Sequence, residues 1–187
     1  MSTTDQPPLT VLVLSACIAV LLQLIVAPVA TIFGIVPNFI LVTVIIIAIR
    51  NNPVRSTVAG FVLGLIFDFC SMAPIGVMTL VLTVIGYFVS SLSKSVASGV
   101  IAIDVIIMLI AIVAGEFFVS VTYAVVGANP DFLLSLVRRV LPGIAYDALI
   151  GCILLLIYTS ITGNQSSKFG GGSGTGTGRP LRRKLYM

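Results

Sequence analysis

The chain has 187 residues, of which 58% are hydrophobic and only 9% charged, with a formal net charge of +4; soluble domains carry roughly 25% charged residues. A mean hydropathy of +1.21 excludes a water-soluble globule and points to the bilayer as solvent, because lipid accepts bare Leu, Ile and Val. The positive charge does not argue for nucleic acid, since Arg179, Arg182, Arg183 and Lys184 crowd a tail suited to anionic lipid.

The N-terminal stretch 1–8 carries no Lys or Arg ahead of the apolar run Leu9 to Phe33, which only Gln23 and Pro28 interrupt. That run is too long for a signal-peptide core and long enough to span hydrocarbon, so it reads as a first membrane helix. After Gly34 to Asn38 comes a short apolar run, Phe39 to Ile49, ended by Arg50, Asn51, Asn52 and Pro53. Counted from Pro37 it reaches only about 20 Å at 1.5 Å per residue. The second helix must therefore thin the bilayer, be re-entrant, or be sheltered by its neighbours.

A third helix is expected from about Val54 to Met72, ended by the turn Ala73-Pro74-Ile75-Gly76, and a fourth from about Val77 to Leu92. The hydrophilic patch Ser90 to Ser95 should separate it from a fifth helix at about Val100 to Val125. Asn129-Pro130-Asp131 is a helix-start signal for an amphipathic segment lying in the interface and ending at Pro142-Gly143, with Phe132, Leu133, Leu136, Val137 and Val140 on one face and Arg138 and Arg139 beside it. A sixth helix follows, from about Ile144 to Ile161. The expected organisation is thus an all-α polytopic six-helix bundle over 9–162, between a short N-terminal segment (1–8) and a disordered Gly-rich basic tail (163–187). Arg50, Arg55, Lys94 and the basic tail then fall on one side, which the positive-inside rule makes cytoplasmic together with both termini. If the second helix does not span, the N-terminus flips outward.

The chain has no His, and its three cysteines, Cys17, Cys70 and Cys152, are scattered through apolar runs. Histidine-based catalysis, zinc motifs and phosphate-binding loops are therefore lacking; no catalytic, cofactor or metal residue is expected. Carboxylates inside a membrane are expensive and need a partner, a proton or a watery cavity. Asp104 sits near the cytoplasmic end of its helix, with Lys94 as the expected counter-charge. Asp68, Glu116 and Asp147 share one depth, about 6 to 13 Å below the opposite end, with Arg138 and Arg139 just above. Either they form a structural polar cluster tying three helices together under an arginine lid, or they line an outward-facing pocket for a ligand, a proton or a partner's side chain. Gly60, Gly64 and Asp68 lie along one ridge of the third helix, and Gly60-x-x-x-Gly64 permits close helix packing in lipid.

The stretch from Pro37-Asn38 through Gly60-Phe61-Val-Leu-Gly64-Leu-Ile-Phe-Asp68-Phe-Cys-Ser71 to Gly76 resembles the rod shape-determining membrane protein family MreD. Its third helix carries Gly-Phe-x-x-Gly-x-x-x-Asp-x-x-Ser with a Gly shortly after; the matching positions are Gly60, Phe61, Gly64, Asp68, Ser71 and Gly76, preceded by Pro37. Asn38 stands where the family commonly has Asp. The resemblance implies a fold similar to the S components of energy-coupling vitamin transporters. It also implies a non-enzymatic scaffold in the bacterial cytoplasmic membrane, partnering MreC and linking MreB filaments to the elongation penicillin-binding protein and its polymerase. The competing classes are a vitamin-binding S component, for which Ser15 and Ala19 offer a single small-residue step on the first helix, and a proton or ion pathway through Asp68, Glu116 and Asp147.

Overall fold

The structure, a computed structural model, describes residues 7–31, 35–71, 74–96, 101–127 and 136–169, without the side chains of 136, 139 and 161–169. Among these residues the chain is mostly helical, with six helices: α1 (Leu9–Val29), α2 (Phe39–Arg50), α3 (Pro53–Cys70), α4 (Val77–Ser95), α5 (Ile101–Val125) and α6 (Leu141–Phe169). Five are long and apolar enough to cross a membrane, and α2 is the shorter one. The protein is a polytopic membrane bundle.

Of the three ways to accommodate a short second helix, the bundle uses shelter. Every residue from Phe39 to Ile49 is buried, because α1, α3, α4, α5 and α6 all pack around α2. Its apolar residues run all the way round rather than along one stripe, the pattern of a core helix. A helix that touches no lipid has no need to match the hydrocarbon thickness. Its two ends meet two separate levels of α5, Asn38 approaching Glu116 and Arg50 pairing with Asp104, so α2 runs through the core between those two levels.

α3 and α4 form the tightest unit. Gly60 leaves its face so open that an added Cβ would overlap the Leu82 carbonyl, and one on Gly64 would come 2.5 Å from the Thr79 Cα. Gly86 returns the contact from α4, where a Cβ would stand 2.6 Å from the Ser56 carbonyl oxygen. These pairings run antiparallel and bring backbone against backbone, which is how helices gain dispersion energy in a solvent as apolar as their side chains.

The helix boundaries depart from the sequence reading in three places. The serine patch at 90–95 does not interrupt α4, which runs to Ser95; Ser90 and Ser93 are buried because they face α2. Pro142-Gly143 does not end a separate segment either, since a π-helical turn, Leu136–Val140, leads straight into α6. Proline is tolerated in the first turn of a helix, where its missing N–H costs no hydrogen bond. α6 also continues past Gly163 to Phe169, so the expected boundary between bundle and tail falls inside a helix. The start signal at Asn129-Pro130-Asp131, the residues to 135 and the chain beyond 169 lie outside the described residues. α1 contains a second π-helical turn, Leu22–Val26, two residues before Pro28; widened turns of this kind are frequent at functional sites.

Candidate functional site

Two groups of polar side chains inside the bundle sit at the two ends of α2. Helix termini leave backbone N–H and C=O groups without partners, and inside a membrane protein no bulk water is present to satisfy them. At the start of α2, Asn38 caps its own helix by accepting from the Leu41 N–H at 3.1 Å. The Asn38 N–H in turn donates to Asp147 Oδ1 of α6 at 2.9 Å, and its side-chain amide reaches Glu116 Oε1 of α5 at 3.5 Å. Glu116 and Asp147 also interact directly. From the other side Gln23, in the π-helical turn of α1, donates to the Pro37 carbonyl at 3.2 Å and accepts from the Ile40 N–H at 3.4 Å. Tyr146 of α6 donates to the Ala30 carbonyl at 2.8 Å, closing the ring. Two carboxyl groups at a helix N-terminus also face the positive end of its macrodipole.

The other end of α2 mirrors this arrangement with opposite charge. Arg50, in its last turn, pairs with Asp104 of α5 at 2.8 Å, and the Asp104 side chain is 1% exposed. A cation at a helix C-terminus meets the negative end of the dipole. Ser90 and Ser93 of α4 donate to the carbonyls of Asn51 and Ile49 at 2.6 and 3.2 Å, the Asn51 side chain donates to the Ile47 carbonyl at 3.0 Å, and Tyr158 of α6 lies beside Arg50. Lys94, the counter-charge expected for Asp104, is exposed at the end of α4. Arg50 takes that place because it projects from the buried helix against which α5 packs.

Asp68 belongs to neither node. Its carboxylate accepts from the backbone N–H groups of Gly76 (2.9 Å), Met78 (3.1 Å) and Thr79 (3.0 Å) and from the Thr79 hydroxyl (2.6 Å). It thus caps α4 from the last turn of α3. Gly76, at the N-cap position, adopts φ +99° and has no side chain with which to cap; the left-handed conformation favours glycine, and Asp68 supplies the acceptor instead. Gly60, Gly64, Asp68 and Gly76 therefore serve one purpose, the α3–α4 hairpin. Phe61 of the same motif is exposed on α3.

The structure thus brings Glu116 and Asp147 together through Asn38 and assigns Asp68 to the hairpin. Arg138 is exposed in the turn before α6, and the side chain of Arg139 lies outside the described residues. Sequence reading passed over Gln23, Asn51, Ser90, Ser93 and Tyr146. A single polar residue within an apolar run was the available signal for Gln23, whereas the serines looked like part of a loop. Among the described residues no group of three or more Cys, Asp or Glu side chains is arranged to hold a metal ion.

The family model of the rod shape-determining protein MreD matches residues 7–161, a stretch that takes in α1 to α5, most of α6 and both polar nodes. The chain belongs to the MreD family. This MreD protein accordingly has a role in rod shape determination, and it is a multi-pass membrane protein. Neither curated proteins nor solved structures yield a match.

Proposed function

We propose that this protein is a non-enzymatic scaffold of the cell-elongation complex in the bacterial cytoplasmic membrane, which binds MreC and helps couple MreB filaments to the elongation penicillin-binding protein and its polymerase. The observation that carries the reading is the family match over 7–161. It is supported by the way intramembrane polar groups are used: Asp68, Asp104, Asn38 and Gln23 all hold helices to one another. A bundle braced in this way suits a protein that presents surfaces.

The orientation follows from charge. Arg50, Arg55 and Lys94 lie at the same end of the bundle as the N-terminus, whose Pro7 carbonyl accepts from Arg55. Together with the basic tail they make that end cytoplasmic by the positive-inside rule, and both termini with it. The cytoplasmic end then faces MreB and anionic lipid. The opposite end, with Arg138 and Arg139 ahead of α6 and the Glu116–Asp147 pair beneath, receives MreC; Asp68 supports this surface through the hairpin and makes no contact with the partner.

The test is co-purification of the tagged protein from its native membrane in mild detergent, with mass spectrometry of retained proteins and small molecules. MreC and other elongation proteins are expected, and their recovery should fall sharply with Arg138→Glu/Arg139→Glu in a variant that remains monodisperse. Recovery of a vitamin or an ATPase-driven coupling module in place of MreC overturns the scaffold reading in favour of transport.

A further inference from the structure

Two residues of the motif that runs from Gly60 to Gly76 take no part in the hairpin: Phe61, exposed on α3, and Ser71. Ser71 follows the last turn of α3, and its Oγ is shielded and has no hydrogen-bond partner among the described residues. A hydroxyl in that state forfeits the bonds it would make in water, and such groups in native structures call for an explanation. Ser71 also lines a cleft of about 300 Å³ between α1 and α3, floored by Ile40 of α2.

The cleft is mostly apolar, with Ser71 at the helix-end level and Gln23 part-way along α1 as its polar lining among the described residues. Along α1 it is lined by Val20, Gln23, Leu24 and Pro28, and along α3 by Ile66, Phe67, Cys70 and Ser71. From Val20 to Pro28 a helix rises about 12 Å, so the groove runs from the helix-end level of Ser71 into the hydrocarbon. Among the described residues no charged side chain lines it, which matches an occupant uncharged along its length. Its volume has room for roughly ten water-sized groups, and it lies in the segments that face the membrane. A glycerolipid has the complementary shape: a hydrocarbon chain, with an ester carbonyl at the polar boundary where the helices end.

We propose that the α1–α3 cleft is a binding site for one acyl chain of a membrane glycerolipid, with the Ser71 hydroxyl donating to the ester carbonyl after a single rotamer step about its Cα–Cβ bond. Gln23 closes the deep side of the site, because both ends of its amide are bonded to the α2 start. A bound lipid therefore sits against the residue that ties α1 to the buried helix.

The experiment uses the full chain in nanodiscs of phosphatidylcholine doped with phosphatidylcholine bearing a diazirine on one acyl chain, and maps labelled peptides by mass spectrometry after photolysis. Label is expected to concentrate on 20–28 and 66–71. Val20→Phe, which fills the groove, should reduce it several-fold while leaving label at exposed Phe88 and Ile110 unchanged. Ser71→Ala should lower it about fivefold, the loss of one neutral hydrogen bond, and decides the matter should the bulkier variant not fold. Label spread evenly over the exposed faces of α1, α4 and α5 overturns the proposal, since that is ordinary surrounding lipid. Cleft peptides left unlabelled while the exposed faces are labelled overturn it too, since the groove then holds no acyl chain.

Discussion

α1 and α2 are both apolar helices, yet they are solved in opposite ways. In α1 only Ala19 and Ala27 are buried, while Leu9, Val13, Leu14, Ile18, Leu21 and Ile25 face outward. α2 is buried from Phe39 to Ile49 and shows no face to lipid. In water such a difference would be a large hydrophobic gain for α2, but lipid is as apolar as leucine and burial by itself gains little. What keeps α2 inside is close packing and, above all, the satisfied groups at its ends. α1 is held to the bundle by Gln23, Tyr146 and the Arg55–Pro7 contact, and its length and hydropathy keep it in the membrane. An apolar helix can thus be specified by its ends or by its length.

The comparison breaks most completely where backbone meets backbone. Gly64→Leu should prevent α3 and α4 from closing, at a cost above the about 1–3 kcal/mol typical of overpacking, because Thr79 main-chain atoms occupy the space; loss of a monodisperse peak in size-exclusion chromatography is the expected readout. Asp68→Ala leaves three N–H groups and one hydroxyl without their acceptor. At about 1–3 kcal/mol for an unsatisfied buried group it should exceed the ordinary N-cap loss of about 0.5–2 kcal/mol, and Asp68→Asn should recover part of this in thermal unfolding.

Asp104→Ala tests the charged end of α2. Breaking a buried pair costs about 3–5 kcal/mol, and because Arg50 is 24% exposed the loss should fall at or below the lower limit. The double change Arg50→Met/Asp104→Leu should restore most of it, which a double-mutant cycle in detergent would measure; no recovery would mean that the ion pair is not what holds this end. Gln23→Leu should cost about 1 kcal/mol and show as faster hydrogen exchange in α1 and at the Ile40 N–H, which loses its acceptor, with the rest of α2 unchanged. Leu14→Ala, on the lipid-facing side of α1, should stay within about 0.5 kcal/mol.

Much of the bundle was legible in the sequence because hydropathy measures the transfer of a segment into lipid, and segment length and turn residues do the rest. The ends of α3, the start of α4 and the extent of α5 follow from Pro53, Gly76 and unbroken apolar runs. The Gly60–Gly64–Asp68 ridge was likewise visible as a packing face with an acid at its end. The grouping of acids by depth was only half informative: Glu116 and Asp147 do meet, whereas Asp68 at the same level turns to a different helix. Depth is a one-dimensional coordinate and carries no information about rotation around the bundle axis.

By itself, then, the sequence determined that this chain lives in the membrane, roughly where most of its helices begin and end, the end of α6 excepted, and which family motif it bears. The tertiary structure alone decided which polar groups meet. Arg50 takes Asp104 in place of Lys94, Asp68 caps α4, and Ser90, Ser93 and Gln23 satisfy the ends of α2, because each assignment depends on which helices are neighbours and how each is turned. Helical periodicity places a side chain on a face, but only the packed bundle determines what that face meets, and in hydrocarbon an unpaired polar group has no water to fall back on.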